Sequence, residues 1–436
     1  MSFTTGVVRS SKKLLFGTLC GLIALNVTVF ANDAIAATTQ LSVEDAVKHA
    51  VEGNLSLKES QITLNASKRA SDYSWNSVSP SLDAAGGYSK QNAADDGSLY
   101  VRGSVSVAFS PSLFTSIKKA ALNYEKGQLD YESAARSIEL NVRKSYYALL
   151  YEQENINLLT RSVESAKKQY ESNLAKYNSG ALSQLDVLNA QVTYQNDELS
   201  LETAQGTWNS DMSAFKQLLG IPLDSAVSLK GSLQDVLSTP DISIDGVVQK
   251  SATISSLQKQ IEIAEVGLTA VRFSAYGPTV SASWSYQPSA STADTSTWKD
   301  SGSLSLGVSI PLDGWLPWSA GAQNIAAQQD TIASLKLQLE DAKTTVKANT
   351  QNYLMKVQQS KASLSLRQKS IELAQKTYDM TLTAYNHGTK DLLSLQTASD
   401  NLLQAKVNLM HEAYTLSSAI LDLENTIGVP FGTLSK

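Results

Sequence analysis

One cysteine, nine prolines, three histidines and a charged fraction of only 18% stand out in this 436-residue sequence. The single Cys20 excludes a disulfide-stapled scaffold and a cysteine-based zinc site. Lys and Arg number 36 against 41 Asp and Glu, so no basic excess exists to neutralise phosphates, which excludes a nucleic-acid partner. Charge falls below the ~25% of an average soluble protein, and Ser, Thr, Asn and Gln fill the deficit. His49, His387 and His411 are scattered, and neither a His-x-x-x-His pair nor a Gly-rich phosphate loop occurs. The residues therefore point to no enzyme, metal centre or cofactor.

No apolar run of about 18 residues follows the N-terminus, so no transmembrane helix is expected in the body of the chain. The N-terminus itself is different. Arg9, Lys12 and Lys13 precede an apolar run over residues 14–30 and a small-x-small exit, Ala34-Ile35-Ala36. That order describes a secretory signal peptide, residues 1–36. Leu19 before Cys20 speaks against lipid acylation, which needs a small residue there.

What the chain does contain is written twice. Shifting the sequence by 208 places Glu164, Ala166, Lys168, Tyr170, Leu174, Tyr177, Asn178 and Gly180 on identical residues. The same shift carries Gly220-Ile221-Pro222 onto Gly428-Val429-Pro430, with 15 identities in 59 ungapped positions. Random matching would give roughly 3 or 4. Upstream, Pro80 answers Pro278 and Pro111 answers Pro311. The chain divides into two units of one order, residues 37–238 and 239–436, with the boundary near Ser238-Thr239-Pro240.

Each unit reads helix, strand, strand, very long helix, turn, long helix. Ser42 is the expected first N-cap, with Asp45 three residues on and an interruption at Gly53-Asn54. Residues 81–89 and 99–109 alternate, with Leu82, Ala84, Gly86 and Tyr88, then Leu99, Val101, Gly103, Val105, Val107 and Phe109, on one face. The second unit repeats this with Val280, Ala282, Trp284 and Tyr286, then Leu304, Leu306, Val308 and Ile310. Their opposite faces are small and polar. Runs of this length cross a bilayer as tilted strands, and residues 91–98 and 289–300 read as polar hairpin tips in water.

Residues 114–179 and 322–387 contain no proline and together one glycine, which predicts helices roughly 100 Å long. Ile156, Leu159, Val163, Ala166, Tyr170, Leu174 and Tyr177 recur at coiled-coil spacing, as do Ile371, Ala374, Tyr378, Leu382 and Tyr385. Gly180 and Gly388 then reverse the chain into helices over 182–219 and 389–427, each stopped by a glycine with proline two residues later. The i,i+4 pairs along these helices, such as Glu164 with Lys168, read as solubilising pairs.

Four membrane-type strands cannot close a barrel, because edge backbone groups in lipid go unpaired at several kcal/mol each. The chain must combine with copies of itself: two would supply eight strands and three would supply twelve. Trp75, Phe114, Trp315 and Trp318 cluster where strands meet helices. Two readings fit them, an interfacial aromatic belt and ordinary packing at a junction.

The signal segment, the paired Tyr-Asn-x-Gly elements at Tyr177–Gly180 and Tyr385–Gly388, the Leu-Gly-Ile-Pro and Ile-Gly-Val-Pro endings and the opening Leu41-Ser42-Val43-Glu44-Asp45-Ala46-Val47 resemble the TolC-like family of outer-membrane channels of efflux pumps and type I secretion systems. The resemblance runs from about residue 40 to 430 and rests on the order of motifs more than on any one. It implies an α+β membrane protein, a homotrimer with a twelve-stranded outer-membrane β-barrel continuing into a periplasmic α-helical coiled-coil tunnel. It also implies helix-turn-helix tips that meet a periplasmic adaptor, which connects to an inner-membrane transporter. The matching tip positions are Tyr177, Asn178, Gly180, Ala181 and Leu182, then Tyr385, Asn386, His387, Gly388 and Thr389. Better-known members constrict the tunnel with acidic residues six and nine positions after the second tip glycine. This chain departs there, with Ser394 and Thr397, although Asp391 and the first unit's Asp186 lie nearby. The competing expectation is a secreted coiled-coil filament protein, which shares the polar helices but leaves the four alternating strands unexplained.

Overall fold

The computed structural model describes residues 39–90, 96–233 and 251–434. The signal segment and the boundary at Ser238-Thr239-Pro240 lie outside the described residues, as does most of the first hairpin tip.

The chain opens on β1 (Thr39–Leu41) and α1 (Val43–Gly53), whose start is the expected capping box. The Ser42 hydroxyl accepts the Asp45 N–H, and the Asp45 carboxylate accepts the Ser42 N–H, each at 3.2 Å. Asn54 ends α1 and caps α2 (Leu55–Asp72), accepting the Leu57 N–H at 3.1 Å. Its amide donates to the Leu218 carbonyl at 2.8 Å, fixing the kink against the far end of the unit. A 3-10 turn, Ser74–Val78, delivers the chain to β2 (Ser81–Ser89) and β3 (Ser98–Phe109). Then come α3 (Ser112–Asn178), α4 (Gln184–Leu219) and β4 (Val227–Leu229), which pairs parallel with β1. The three-residue strands β1 and β4 are too short to leave a period in the sequence.

The second unit repeats the order with α5 (Ala252–Tyr276), β5 (Thr279–Tyr286), β6 (Ser289–Ser291), β7 (Asp294–Lys299), β8 (Gly302–Ser309), α6 (Ala320–Asn386) and α7 (Leu392–Ile427). Helices α3 and α6 have 67 residues each, about 100 Å of unbroken column. The tract 289–300, expected as a loop, instead forms the hairpin β6–β7. The start of β3 extends beyond β5, so Ser98–Tyr100 offer backbone partners that β6 takes up. Asp294 tightens the turn by accepting the Ser296 N–H at 2.9 Å.

The long strands form an antiparallel sheet in the order β2–β3–β5–β8. Near the sheet the helices follow the same order, α2–α3–α5–α6; away from it the order is α4–α3–α7–α6. The main core lies where the two halves meet. Val142, Tyr146, Phe215, Leu219, Leu416 and Leu423 interlock there. The Tyr146 hydroxyl reaches the Leu41 carbonyl at 2.9 Å and accepts the Lys230 N–H at 3.1 Å, tying α3 to the β1–β4 pair.

The C-terminal tail closes this core. Fully buried Glu424 accepts the N–H groups of Gly432, at 3.0 Å, and Leu434, at 2.7 Å. Arg136 of α3 donates to the Glu424 carbonyl at 2.6 Å and lies 4.7 Å over the Phe431 ring. Glu424→Ala should leave two partly buried donors without their acceptor at about 1 kcal/mol each, and Glu424→Gln, which keeps one acceptor oxygen, should cost less. Thermal melting in detergent reads the order wild type, Gln, Ala; equal midpoints for all three would contradict it.

Candidate functional site

Strand register shows what the sheet does with its two faces. Leu82, Val105, Trp284 and Leu304 lie side by side across the four strands, as do Phe109, Val280 and Val308, and Ala282 with Leu306. Leu306 is 76% exposed and Leu304 70%, so nothing among the described residues covers these side chains on the apolar face. The other face carries a row of Ser81, Ser106, Ser283 and Ser305, then a row of Asp83, Ser104, Ser285 and Ser303. Hydroxyls join along these rows, Ser81 to Ser106 at 2.6 Å and Ser285 to Ser303 at 2.9 Å. Among the described residues β2 pairs only with β3 and β8 only with β5, leaving two open edges. Since the four strands alternate in direction, those edges run antiparallel to one another and can pair head to tail between copies.

All four singled-out aromatics sit at the junction of sheet and helices and are exposed. Trp75 lies in the turn before β2, Phe114 in the first turn of α3, Trp315 in the 3-10 turn Asp313–Trp315 and Trp318 just ahead of α6. Phe114 touches Phe109 edge-on at 5.7 Å, and Trp315 meets Tyr276 at 5.2 Å. Trp318 keeps 73% of its surface exposed.

At the opposite end each helical hairpin turns on a left-handed glycine, Gly180 at φ 78° and Gly388 at φ 73°. The Ala181 N–H donates to the Lys176 carbonyl and the Gly180 N–H to that of Tyr177, both at 2.8 Å, the double bond of a glycine-stopped helix. Thr389 and Gly388 repeat it on Ala384 and Tyr385, both at 2.9 Å. Asn178 and Asn386 close the two long helices, and His387 caps the second. The return helices begin at Gln184 and Leu392, later than expected, because Ser183 and Asp391 act as N-caps. Ala181, Leu182 and Thr389 thus belong to the turns.

The entrance candidates serve the same caps. The Ser183 hydroxyl donates to Asp186 at 2.5 Å and accepts its N–H at 3.2 Å. Asp391 accepts the Ser394 N–H at 2.9 Å, and the Ser394 side chain holds the Asp391 carboxyl below its ordinary pKa. The Thr397 hydroxyl bonds back to the Leu393 carbonyl at 2.9 Å.

One cluster went unnoticed in the sequence. The Tyr385 hydroxyl donates to Asn173 at 3.0 Å and accepts from Gln169 at 3.1 Å, while Gln169 also donates to Asn173 at 2.9 Å. Asn173 is fully buried, and Lys176 sits 5.3 Å above the Tyr385 ring. This network ties α3 of the first unit to the end of α6 in the second. Beside it, a cavity of about 260 Å³ opens between the two hairpins, with Asp197 and Asp400 among its walls. Burial pushes both carboxyls up, and the charge of Asp197 raises Asp400 further. Periodicity gives no sign of the network, because polar residues on a long polar helix carry none.

Farther toward the core, burial and the neighbouring Asp211 push the Glu152 carboxyl up to about 7. The folded hairpin holds this proton more tightly than the unfolded chain does. Stability on this count is greatest in acid and declines as pH climbs from the ordinary carboxylate range through about 7. Asp211→Asn should flatten that decline, read as the thermal midpoint between about pH 5 and pH 8 in detergent. A decline as steep as in wild type would contradict the pairing.

A sheet with one exposed apolar face and one hydroxyl-lined face, running into polar helical columns of about 100 Å, defines an outer-membrane protein with a β-domain and an extended helical domain. No helix among the described residues is long and apolar enough to cross a membrane. The family model for outer membrane efflux proteins matches the chain twice, over residues 46–221 and 244–429, and the chain belongs to that family. Outer membrane protein TolC of Salmonella enteritidis is 27% identical over 236 residues, 47% of this chain and 47% of that protein, so the match spans about half that relative's length. Nodulation protein T of Rhizobium leguminosarum bv. trifolii is 19% identical over 328 residues, covering 72% of this chain and 69% of that one. Among solved structures, the Campylobacter jejuni CmeC outer membrane channel gives a TM-score of 0.73 at 17% identity, over 88% of this chain and 85% of that one. The open state of the Neisseria gonorrhoeae MtrE outer membrane channel gives 0.72 at 14%, over 89% of each. At these identities the likeness establishes the fold.

Proposed function

We propose that the protein is the outer-membrane exit duct of a tripartite efflux pump or type I secretion system. The two-faced sheet with open edges carries this reading. Its apolar face suits outer-membrane lipid and its serine rows suit a water-filled lumen, so three copies would close twelve strands into a barrel and continue as a helical tunnel. Exposed Trp75, Phe114, Trp315 and Trp318 would ring the inner interface of the membrane. A secreted filament would have no use for an exposed apolar sheet face. We read residues 1–36 as the export signal and 37–238 and 239–436 as the two units of one subunit's share of the wall.

The tips are the proposed docking points for a periplasmic adaptor, which hands substrate on from an inner-membrane transporter. Asp186, Asp391, Ser394 and Thr397 fall within the first turns after the tips and are assigned to the entrance, where the two carboxylates also fix the turns. A Cβ at Gly180 or Gly388 would meet nothing within 4 Å, and Asp tolerates left-handed backbone better than most residues. Gly180→Asp with Gly388→Asp should therefore abolish transport while leaving outer-membrane insertion intact. Drug-susceptibility or secretion assays beside fractionation read this; transport surviving both changes would remove the tips from the docking role.

A further inference from the structure

The cavity between the two hairpins serves neither the caps nor the tip network. About 260 Å³ of space lies inside it, room for about nine waters, and all four helices that meet there supply walls. Tyr378 and Leu382 of α6, with the buried Leu392 and Leu395 of α7, line an apolar part. Asp197 of α4 and Asp400 of α7 add one carboxyl from each hairpin. Asp197 is half-buried and takes a hydrogen bond from the Ser162 hydroxyl of α3 at 2.9 Å, whereas Asp400 is exposed and marks the open side. Lys168, the one basic side chain in the walls, is exposed, and no basic side chain among the described residues pairs with either carboxyl.

We infer that this cavity binds a small amphipathic amine, its ammonium between Asp197 and Asp400 and its hydrocarbon body against Tyr378, Leu382, Leu392 and Leu395. Charge selects the head. Two carboxylates and Lys168 leave one net negative charge when all are ionised, which a monoamine balances, a diamine exceeds and an anion would worsen. An ammonium brings three donors, and the carboxylate oxygens can accept them. Shape selects the body. A bare metal ion would leave the apolar part uncovered, and no group of three or more His, Cys, Asp or Glu side chains among the described residues is placed to hold one. The volume suits a molecule of about eight to ten non-hydrogen atoms.

The two carboxylates belong to different hairpins. When both are ionised they repel across the gap, and the charge of Asp197 already raises Asp400. An ammonium between them replaces the repulsion with two attractions and ties α4 to α7. The Gln396 amide donates to the Thr193 hydroxyl at 2.6 Å between the same two helices, so the bridge adds to a contact already formed. A ligand that fits only the joined hairpins shifts their equilibrium toward that arrangement. On the exit-duct reading above, an occupied cavity keeps the entrance closed; binding itself needs only the folded hairpins.

Titration calorimetry of the detergent-solubilised full chain with 2-phenylethylamine tests the site, and one amine per chain is expected. Asp197→Asn with Asp400→Asn removes the charges with almost no change of bulk. It should weaken binding at least about tenfold, the worth of one hydrogen bond to a charged group. Ala166→Leu, which fills part of the cavity, should do the same. Glu202→Gln, an exposed position farther along α4, should bind as wild type does. 2-Phenylethanol, the same body without the charge, should bind at least about tenfold more weakly than the amine. No saturable binding to wild type, undiminished binding to the Asn pair, or equal binding of 2-phenylethanol would overturn the proposal. Saturable binding by a chain that forms no channel would leave the site standing and overturn the exit-duct reading instead.

Discussion

Gly220→Ala is expected to remove the folded protein from the outer membrane. Gly220 ends α4 at φ 71°, where an alanine costs about 1–2 kcal/mol through its own backbone. Contact with the kink between α1 and α2 is the larger obstacle. A Cβ on Gly220 would lie 2.3 Å from the Gly53 carbonyl oxygen, and a Cβ on Gly53 would lie 2.5 Å from that of Leu219. Both obstacles are backbone atoms, and Asn54 holds the approach closed through Leu218 at 2.8 Å. Relief would require pulling α1 from the core beside fully buried Leu219. Gly53→Ala should behave alike. Gly206→Ala, in mid-helix with nothing within 4 Å, should be neutral or stabilise by up to about 1 kcal/mol. Immunoblots of membrane fractions check all three; normal levels of Gly220→Ala would contradict the close packing.

The second large effect concerns the tips. Tyr385→Phe deletes the hydroxyl that donates to fully buried Asn173 and accepts from Gln169. Asn173 still accepts from Gln169, so the loss is that of two hydrogen bonds at about 0.5–1.5 kcal/mol each, borne by the contact between the two hairpins and not by the whole fold, because each hairpin keeps its own glycine turn. Every 1.4 kcal/mol is a factor of ten, so separated tips should become about 5- to 150-fold more populated. Uptake of a bulky hydrophilic antibiotic by cells lacking the transporter should rise accordingly. Tyr177→Phe, at the exposed first tip, should leave uptake unchanged. Unchanged uptake in Tyr385→Phe would show that the network does not hold the tips together.

The sequence carried the architecture because long helices, two-faced strands and glycine stops each leave a period or a punctuation mark. The 208-residue offset turned one reading of each element into two, and the helices and long strands fall within a few residues of expectation. Features made by meeting segments were not carried. The β6–β7 hairpin depends on the overhang of β3, the Gly53–Gly220 contact on a helix kink, and the Tyr385–Asn173 bond on two units packing side by side. An exposed seam on α6 was present as Leu366, Leu373 and Met380, but the inward seam at Ile371, Tyr378 and Tyr385 overlaps it in sequence. Structure separates the two by showing which face is covered.

The most direct test of the channel is purification of the mature chain from outer-membrane detergent extracts, followed by reconstitution into a planar lipid bilayer. A heat-modifiable oligomer that conducts in discrete steps is the expected result. A water-soluble monomer that leaves the bilayer sealed would contradict it.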